Sequence, residues 1–313
     1  MKKEMRCVYH DTLENLLENN KNVFMLDADL TNCVQTGDLY AKYPNQCINC
    51  GISEANMLST AAGLSLSGLT PFAQTFVPFI TRRALDQLYM SICYSHTNVF
   101  LYGSEPGIYS QANGGTHCSV EDFSILRALP YINVCAPSDP TSFEWIMNEY
   151  VNNPKPIYVR APRAALPILY KDVSSLQFGK GQYLHKGKKI AIITIGDRVH
   201  KAMEAREELL KDGIDVSVVD FMFVKPYDQQ LILDVIKNHD QIITFENHNI
   251  YGGIGDIIAS EIATSDYSCK LTKMGIPDVS VEVGTLPYLE EKYQLSTKHL
   301  VEKVKNIVKK LED

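Results

Sequence analysis

No run of about 18 uninterrupted apolar residues occurs in this 313-residue chain, so no membrane-spanning helix is expected. The basic start Met1-Lys2-Lys3-Glu4-Met5-Arg6 has no apolar h-region behind it, which argues against a secretory signal. Long basic runs are absent as well, and with a formal net charge of −7 nucleic acid is not expected as a partner. A cytoplasmic location is the default expectation. A complete zinc site is also missing. Cys47-Ile48-Asn49-Cys50 has zinc or redox spacing, but no second Cys pair or His pair completes it. Eight cysteines in a chain this long do not read as a disulfide framework. The simpler reading of the pair is two reduced thiols near a strand.

The length suits two domains of ordinary size, each with its own core. An amphipathic pattern over residues 5–19 predicts a helix, and residues 21–27 read as a short buried strand ending in acids. Further apolar runs recur at 97–102, 132–136 and 157–160, with helical patterns at 54–67, 81–95 and 140–152. Such alternation predicts a parallel sheet covered on both faces. Ligands of such sheets bind at the carboxyl ends of the strands. Residues 173–188 turn to Ser, Gly and Lys, as an interdomain linker would. The alternation then resumes, with strands at 189–196, 216–221 and 241–246 and a helix at 199–210. The domains are therefore expected at 1–172 and 189–313. Gly252-Gly253-Ile254-Gly255 opens another helix; its glycines serve either packing or an anion at the helix N-terminus.

Two local features could carry chemistry. Glu54 opens a helix rich in Ala, Ser and Gly. It is either an acid meeting the helix macrodipole or a carboxyl group kept able to hold a proton in a water-poor cleft. Phe76 and Phe79 flank Pro78, and they are either core residues or a stacking surface for a flat heteroaromatic ring.

Taken together, Gly51-Ile52-Ser53-Glu54-Ala55-Asn56-Met57 and the later Thr75-Phe76-Val77-Pro78-Phe79-Ile80-Thr81-Arg82 resemble the pyrimidine-binding half of transketolase. The likeness continues through Ala28-Asp29-Leu30-Thr31, Gly114-Gly115-Thr116-His117, Val159-Arg160-Ala161-Pro162-Arg163 and Thr244-Phe245-Glu246-Asn247-His248. It implies a pyrimidine-type, thiamine-diphosphate-binding parallel-sheet domain followed by a smaller α/β transketolase C-terminal domain. It also implies roles. Glu54 would activate the cofactor, Phe76 and Phe79 would stack on it, and Asp29 and Arg82 would lie beside it. His117 would polarise substrate oxygens, while Arg6 and Arg163 would bind an anionic tail. Two departures bear on the substrate. Asn113 stands where the family has an acid at a donor hydroxyl, and Glu105 where it has a phosphate-binding histidine. Cys33 replaces a serine nearby.

The family's Gly-Asp-Gly motif, which holds diphosphate and a divalent metal, does not occur in this chain. The resemblance thus implies the C-terminal subunit of a split transketolase. Magnesium or calcium would be held by a separate N-terminal subunit, and two copies of each chain would form a heterotetramer acting on sugars or sugar phosphates. The other readings are a β-subunit of a 2-oxo acid dehydrogenase and a catalytically idle binding subunit.

Overall fold

Five-residue runs such as Phe100–Ser104 and Ile157–Ala161 are buried at every position, so they must lie between two layers rather than at a solvated face. They belong to the largest of three sheets formed within residues 2–312, the part of the chain described by this computed structural model. That sheet contains β1 (Val23–Asp27), β2 (Cys47–Asn49), β3 (Thr70–Phe76), β4 (Phe100–Ser104), β5 (Asn133–Cys135) and β6 (Ile157–Ala161), in the spatial order β5-β6-β4-β3-β1-β2. All of these pair in parallel.

Helices cover both faces. On one side α1 (Met5–Asn19) and α4 (Pro140–Asn152) bury Val8, Tyr9, Leu13, Phe143 and Ile146 against Met25, Phe72 and Tyr102. On the other, α2 (Glu54–Leu66) and α3 (Asp122–Ala128) bury Met57, Leu58, Phe123 and Leu126 against Leu26, Ala73 and Leu101. Alternate strand residues face opposite layers, as the two-residue period of a strand demands. The start of α4 is set by Asp139, whose side chain accepts from the Ser142 N–H while Ser142 returns a bond to the Asp139 backbone, a capping box.

The second sheet contains β7 (Gln182–His185), β8 (Ile190–Thr194) and β9 (Ser217–Asp220). β10 (Phe223–Lys225) follows, then β11 (Gln241–Asn249) and β12 (Lys270–Ile276). The order is β12-β11-β8-β9-β7, with β7 as an antiparallel edge. Three features differ from the sequence-based expectation. The stretch 173–188 is not all linker, because β7 lies in it. An edge strand needs little apolar patterning, and β7 is only half-buried throughout. Nor does the second half keep to its own sheet. β10 crosses over and pairs antiparallel with β5, setting Phe223 opposite Cys135. The strand β12 has no counterpart in the sequence-based expectation either, because its lysines and half-exposed positions carry no clear period.

The junction between the two halves is polar and buried. Asn247 donates to the Pro106 carbonyl at 3.1 Å, and its Oδ1 accepts from the Ile108 N–H at 3.0 Å. Arg160 Nη2 donates to the Asn247 carbonyl at 3.2 Å, and Nη1 meets Asp122 at 2.7 Å. The second half thereby holds the loop that follows β4, which carries Glu105. Among the described residues no helix is long and apolar enough to cross a membrane.

Candidate active site

The loops after β1, β3, β4 and β6 converge at the carboxyl edge of the large sheet. α2 reaches this edge with its first residue, Glu54, because its Met57, Leu58, Ala61 and Ala62 face is fixed in the core. Glu54 is only 2% exposed. Its Oε1 accepts from Arg83 Nη1 at 2.7 Å, and its Oε2 has no hydrogen-bond partner. A buried carboxylate oxygen left unpaired is costly and concentrates at functional sites.

Glu54 lines a cavity of about 260 Å³ together with Ala28, Asp29, Phe76, Phe79 and His117. The rings form a cluster: Phe76 and Phe79 have centroids 5.9 Å apart, and His117 lies 5.1 Å from Phe79 and 6.1 Å from Phe76, both near edge-on. Thr116 Oγ1 sits 2.9 Å from His117 Nδ1, and Ser110 Oγ donates to the His117 carbonyl at 2.6 Å, which fixes the ring-bearing loop. Asn113 is exposed in the same loop, outside the cavity lining. Its carbonyl accepts from Thr116 Oγ1 at 3.5 Å.

Asp29 takes a left-handed backbone conformation, φ 61°, and its Oδ1 accepts from Asn49 Nδ2 at 3.3 Å. The turn is held by Asp27, whose Oδ1 accepts from the Leu30 N–H at 3.0 Å while Oδ2 is buried without a partner. Burial pushes the Asp27 pKa up to about 6, against those backbone donors.

Arg82 does not join Glu54. It donates from Nη2 to the Cys118 carbonyl at 3.0 Å and pairs with Glu121 at 3.1 Å, lining a separate cavity of about 470 Å³. Arg83 takes the place at the site, with its guanidinium carbon 3.8 Å from the Phe79 ring centroid. The cause is the wide helical turn Phe79–Arg83, with i→i+5 bonding, which stacks residues four apart on one line. Arg82-Arg83 is visible as a pair in the sequence, but which of the two faces inward depends on that turn.

Arg6 and Arg163 come together beside this cleft. The ribbon of Lys2–Glu4 with Ala165–Pro167 brings the start of α1 against the end of β6, and the Arg6 N–H meets the Arg163 carbonyl at 3.4 Å. The Arg163 guanidinium carbon is 5.5 Å from the Phe76 ring centroid. Glu105 Oε1 accepts from both the backbone N–H (2.9 Å) and Nε (2.7 Å) of Arg163. Arg6 Nε donates to Glu4 at 2.7 Å. Cys33 sits half-buried on the short helix Thr31–Val34 after Asp29.

The Cys47/Cys50 pair stays structural in character. Cys47 is buried, its thiol pushed up to about 12, and Cys50 is raised for the same reason, burial. Among the described residues no group of three or more His, Cys, Asp or Glu is placed to hold a metal ion.

Fold and cleft together define a pyrimidine-binding α/β protein with a second α/β domain behind it. Residues 1–168 match the transketolase pyrimidine-binding domain and residues 179–300 the transketolase C-terminal domain. The chain belongs to the transketolase family of ketol transferases, with the two domains of the C-terminal subunit of a split transketolase. It is 33% identical over 297 residues to the 6-deoxy-6-sulfo-D-fructose transketolase subunit SqwH of Clostridium sp. (strain MSTE9), covering 95% of this chain and 92% of that one. It is 31% identical over 306 residues to an apulose-4-phosphate transketolase subunit of Phocaeicola vulgatus, covering 97% of each. Among solved structures, a split-gene transketolase described as an inactive β4 tetramer superposes with a TM-score of 0.86 at 31% identity, over 97% of both chains.

Proposed function

We propose that this chain, joined to a separate subunit bearing the diphosphate- and metal-binding half, transfers a two-carbon ketol unit from a ketose to an aldose. The unpaired, buried Oε2 of Glu54 beside the two phenylalanines is the observation that carries this reading. A cavity of about 260 Å³ falls below the ~300–1,000 Å³ of a complete small-molecule pocket. It suits one heteroaromatic ring with the rest of its molecule held elsewhere.

These residues fit the aminopyrimidine of thiamine diphosphate, which supplies the ring carbon that takes up the ketol unit. Glu54 would hold a proton at Oε2 against a ring nitrogen, with Oε1 kept in place by Arg83. Phe76 and Phe79 supply the stacking faces, and Asp29 borders the same cavity. His117, at its rim, would hydrogen-bond a substrate oxygen, with Asn113 further out. Arg6 and Arg163 would meet the far end of the sugar. Magnesium or calcium would reside on the partner subunit. Two copies of each chain would form a heterotetramer; the similar split-gene protein, described as an inactive β4 tetramer, supports a fourfold assembly of this kind of subunit and no more.

The test is co-expression with an N-terminal subunit carrying Gly-Asp-Gly, then assay of two-carbon transfer with thiamine diphosphate and magnesium. Transfer that requires both chains is the expected result. Glu54→Gln should keep the Arg83 contact and assembly yet lower kcat by about a hundredfold or more. A stable, cofactor-loaded complex that transfers ketol units from no ketose would sink the proposal.

A further inference from the structure

Two arginines beside the cleft offer an anion site only if their charge is free. Both are already partnered. Arg163 is held through Nε and its backbone N–H by Glu105, and Arg6 is held through Nε by Glu4. Glu105 is itself only 3% exposed, so its charge is poorly screened by water. The hydrogen bond from Arg6 pulls the Glu4 pKa below the usual carboxylate range, and that of Arg6 is raised, first by Glu4 and more weakly by Glu105. The four groups thus share one electrostatic field. Formal charges at the cluster sum to zero, two cations against two carboxylates. The arginine side chains keep about 29% of their surface open, so their remaining N–H groups can still donate to a ligand.

We propose that Glu105 is a specificity-determining residue that fits this subsite to a ketose tail carrying at most one negative charge, such as a hydroxyl or sulfonate end, and against a phosphate dianion. This rests on the ketol-transfer reading and names its substrate class. A dianion set against Arg163 lies near the Glu105 charge as well, and that repulsion acts on each of its two charges. An uncharged or singly charged end takes hydrogen bonds from the same guanidinium edges with half that repulsion or none. The other role open to Glu105 is to lock its own loop, since its φ is 60° and it accepts from the Arg163 backbone. That role alone would affect every substrate alike.

The experiment uses the complex with its partner subunit, thiamine diphosphate and magnesium, with D-glyceraldehyde as a constant acceptor. The donors are fructose, 6-deoxy-6-sulfofructose and fructose 6-phosphate, one carbon skeleton with three tails. The wild type should show a higher kcat/KM with the first two than with the phosphate. Glu105→Gln keeps the acceptor for Arg163 and removes the charge, so it should raise the phosphate-to-fructose ratio of kcat/KM by about tenfold or more. A wild type that favours the phosphate, or a variant that changes all three donors equally, overturns the proposal. Calorimetric titration of the complex with inorganic phosphate reads the same subsite without turnover. Binding about tenfold tighter in Glu105→Gln than in wild type is expected, and equal binding overturns it. If no donor reacts, the ketol-transfer reading fails, while the phosphate titration still decides the role of Glu105.

Discussion

A carboxylate with one buried, unpartnered oxygen occurs twice on the same rim, at Glu54 and at Asp27. For Asp27 the cost has a pH signature. Its folded pKa, about 6, lies above the ordinary 3.8 because burial disfavours the charged form. A raised carboxylate contributes stability that is fully present below about pH 4 and is lost as the pH rises through about 6. That gap corresponds to roughly 3 kcal/mol at neutral pH and above. Asp27→Asn retains an acceptor for the Leu30 N–H, so it should be more stable than wild type at pH 8 by up to ~3 kcal/mol, with the gain vanishing near pH 4. Urea unfolding at the two pH values checks this, and an equal difference at both would refute it. At this scale Glu54, Phe76, Phe79, Asp29 and His117 were legible from their order along the chain, and they meet at one cavity. Arg83 was not, because its direction depends on the wide turn at Phe79–Arg83.

At the scale of an element, the helix Ile254–Thr264 (α5) shows how a glycine motif can mislead. Its N-terminal N–H groups do bind an anion, but the anion is the chain's own Glu246. Oε2 accepts from Ile254 at 2.9 Å and Oε1 from Gly255 at 3.0 Å. Burial still raises Glu246 to about 7 against those donors. The glycines make room for it, since a Cβ on Gly253 would lie 2.1 Å from Glu246 Oε2. Gly253→Ala should therefore cost ~1–3 kcal/mol in thermal or urea unfolding, because Glu246 must leave its backbone donors. Gly63→Ala, in the interior of α2 with nothing within 4 Å of the added carbon, should be neutral or stabilising by up to ~1 kcal/mol. Similar losses at both positions would contradict this account. The motif was visible in the sequence. Its occupant was not, because Glu246 lies on a strand whose approach to α5 is a matter of packing.

At the scale of the whole molecule, a charge buried in the first half reaches the second, where Arg160 donates to the Asn247 carbonyl at 3.2 Å. Arg160 is 1% exposed, pairs with the fully buried Asp122, and lies 3.8 Å above the Phe123 ring; Tyr158 donates to Asp122 at 2.8 Å. Burial first, and then Arg160, hold the neighbouring His248 neutral, with a pKa pushed down to about 3. Breaking such a pair strands a charge, so Arg160→Met should destabilise the protein by ~3–5 kcal/mol. Adding Asp122→Asn should recover part of that loss, because the stranded charge is gone. A loss below ~1 kcal/mol for the single change would show that Arg160 does not hold the junction.

Local chemistry along the chain was enough to announce two α/β units, buried strands at 97–102 and 157–160 (formed at Phe100–Ser104 and Ile157–Ala161), the helix opening at Glu54, and the aromatic pair at the end of β3. These are short-range properties: periodicity, capping and the spacing of residues on one element. Packing alone decided that β10 completes the first sheet, that Arg83 rather than Arg82 reaches Glu54, and that Glu105 neutralises Arg163. Each of those outcomes joins residues distant in sequence or turns one side chain instead of its neighbour, and the energy that selects it exists only once the layers have closed.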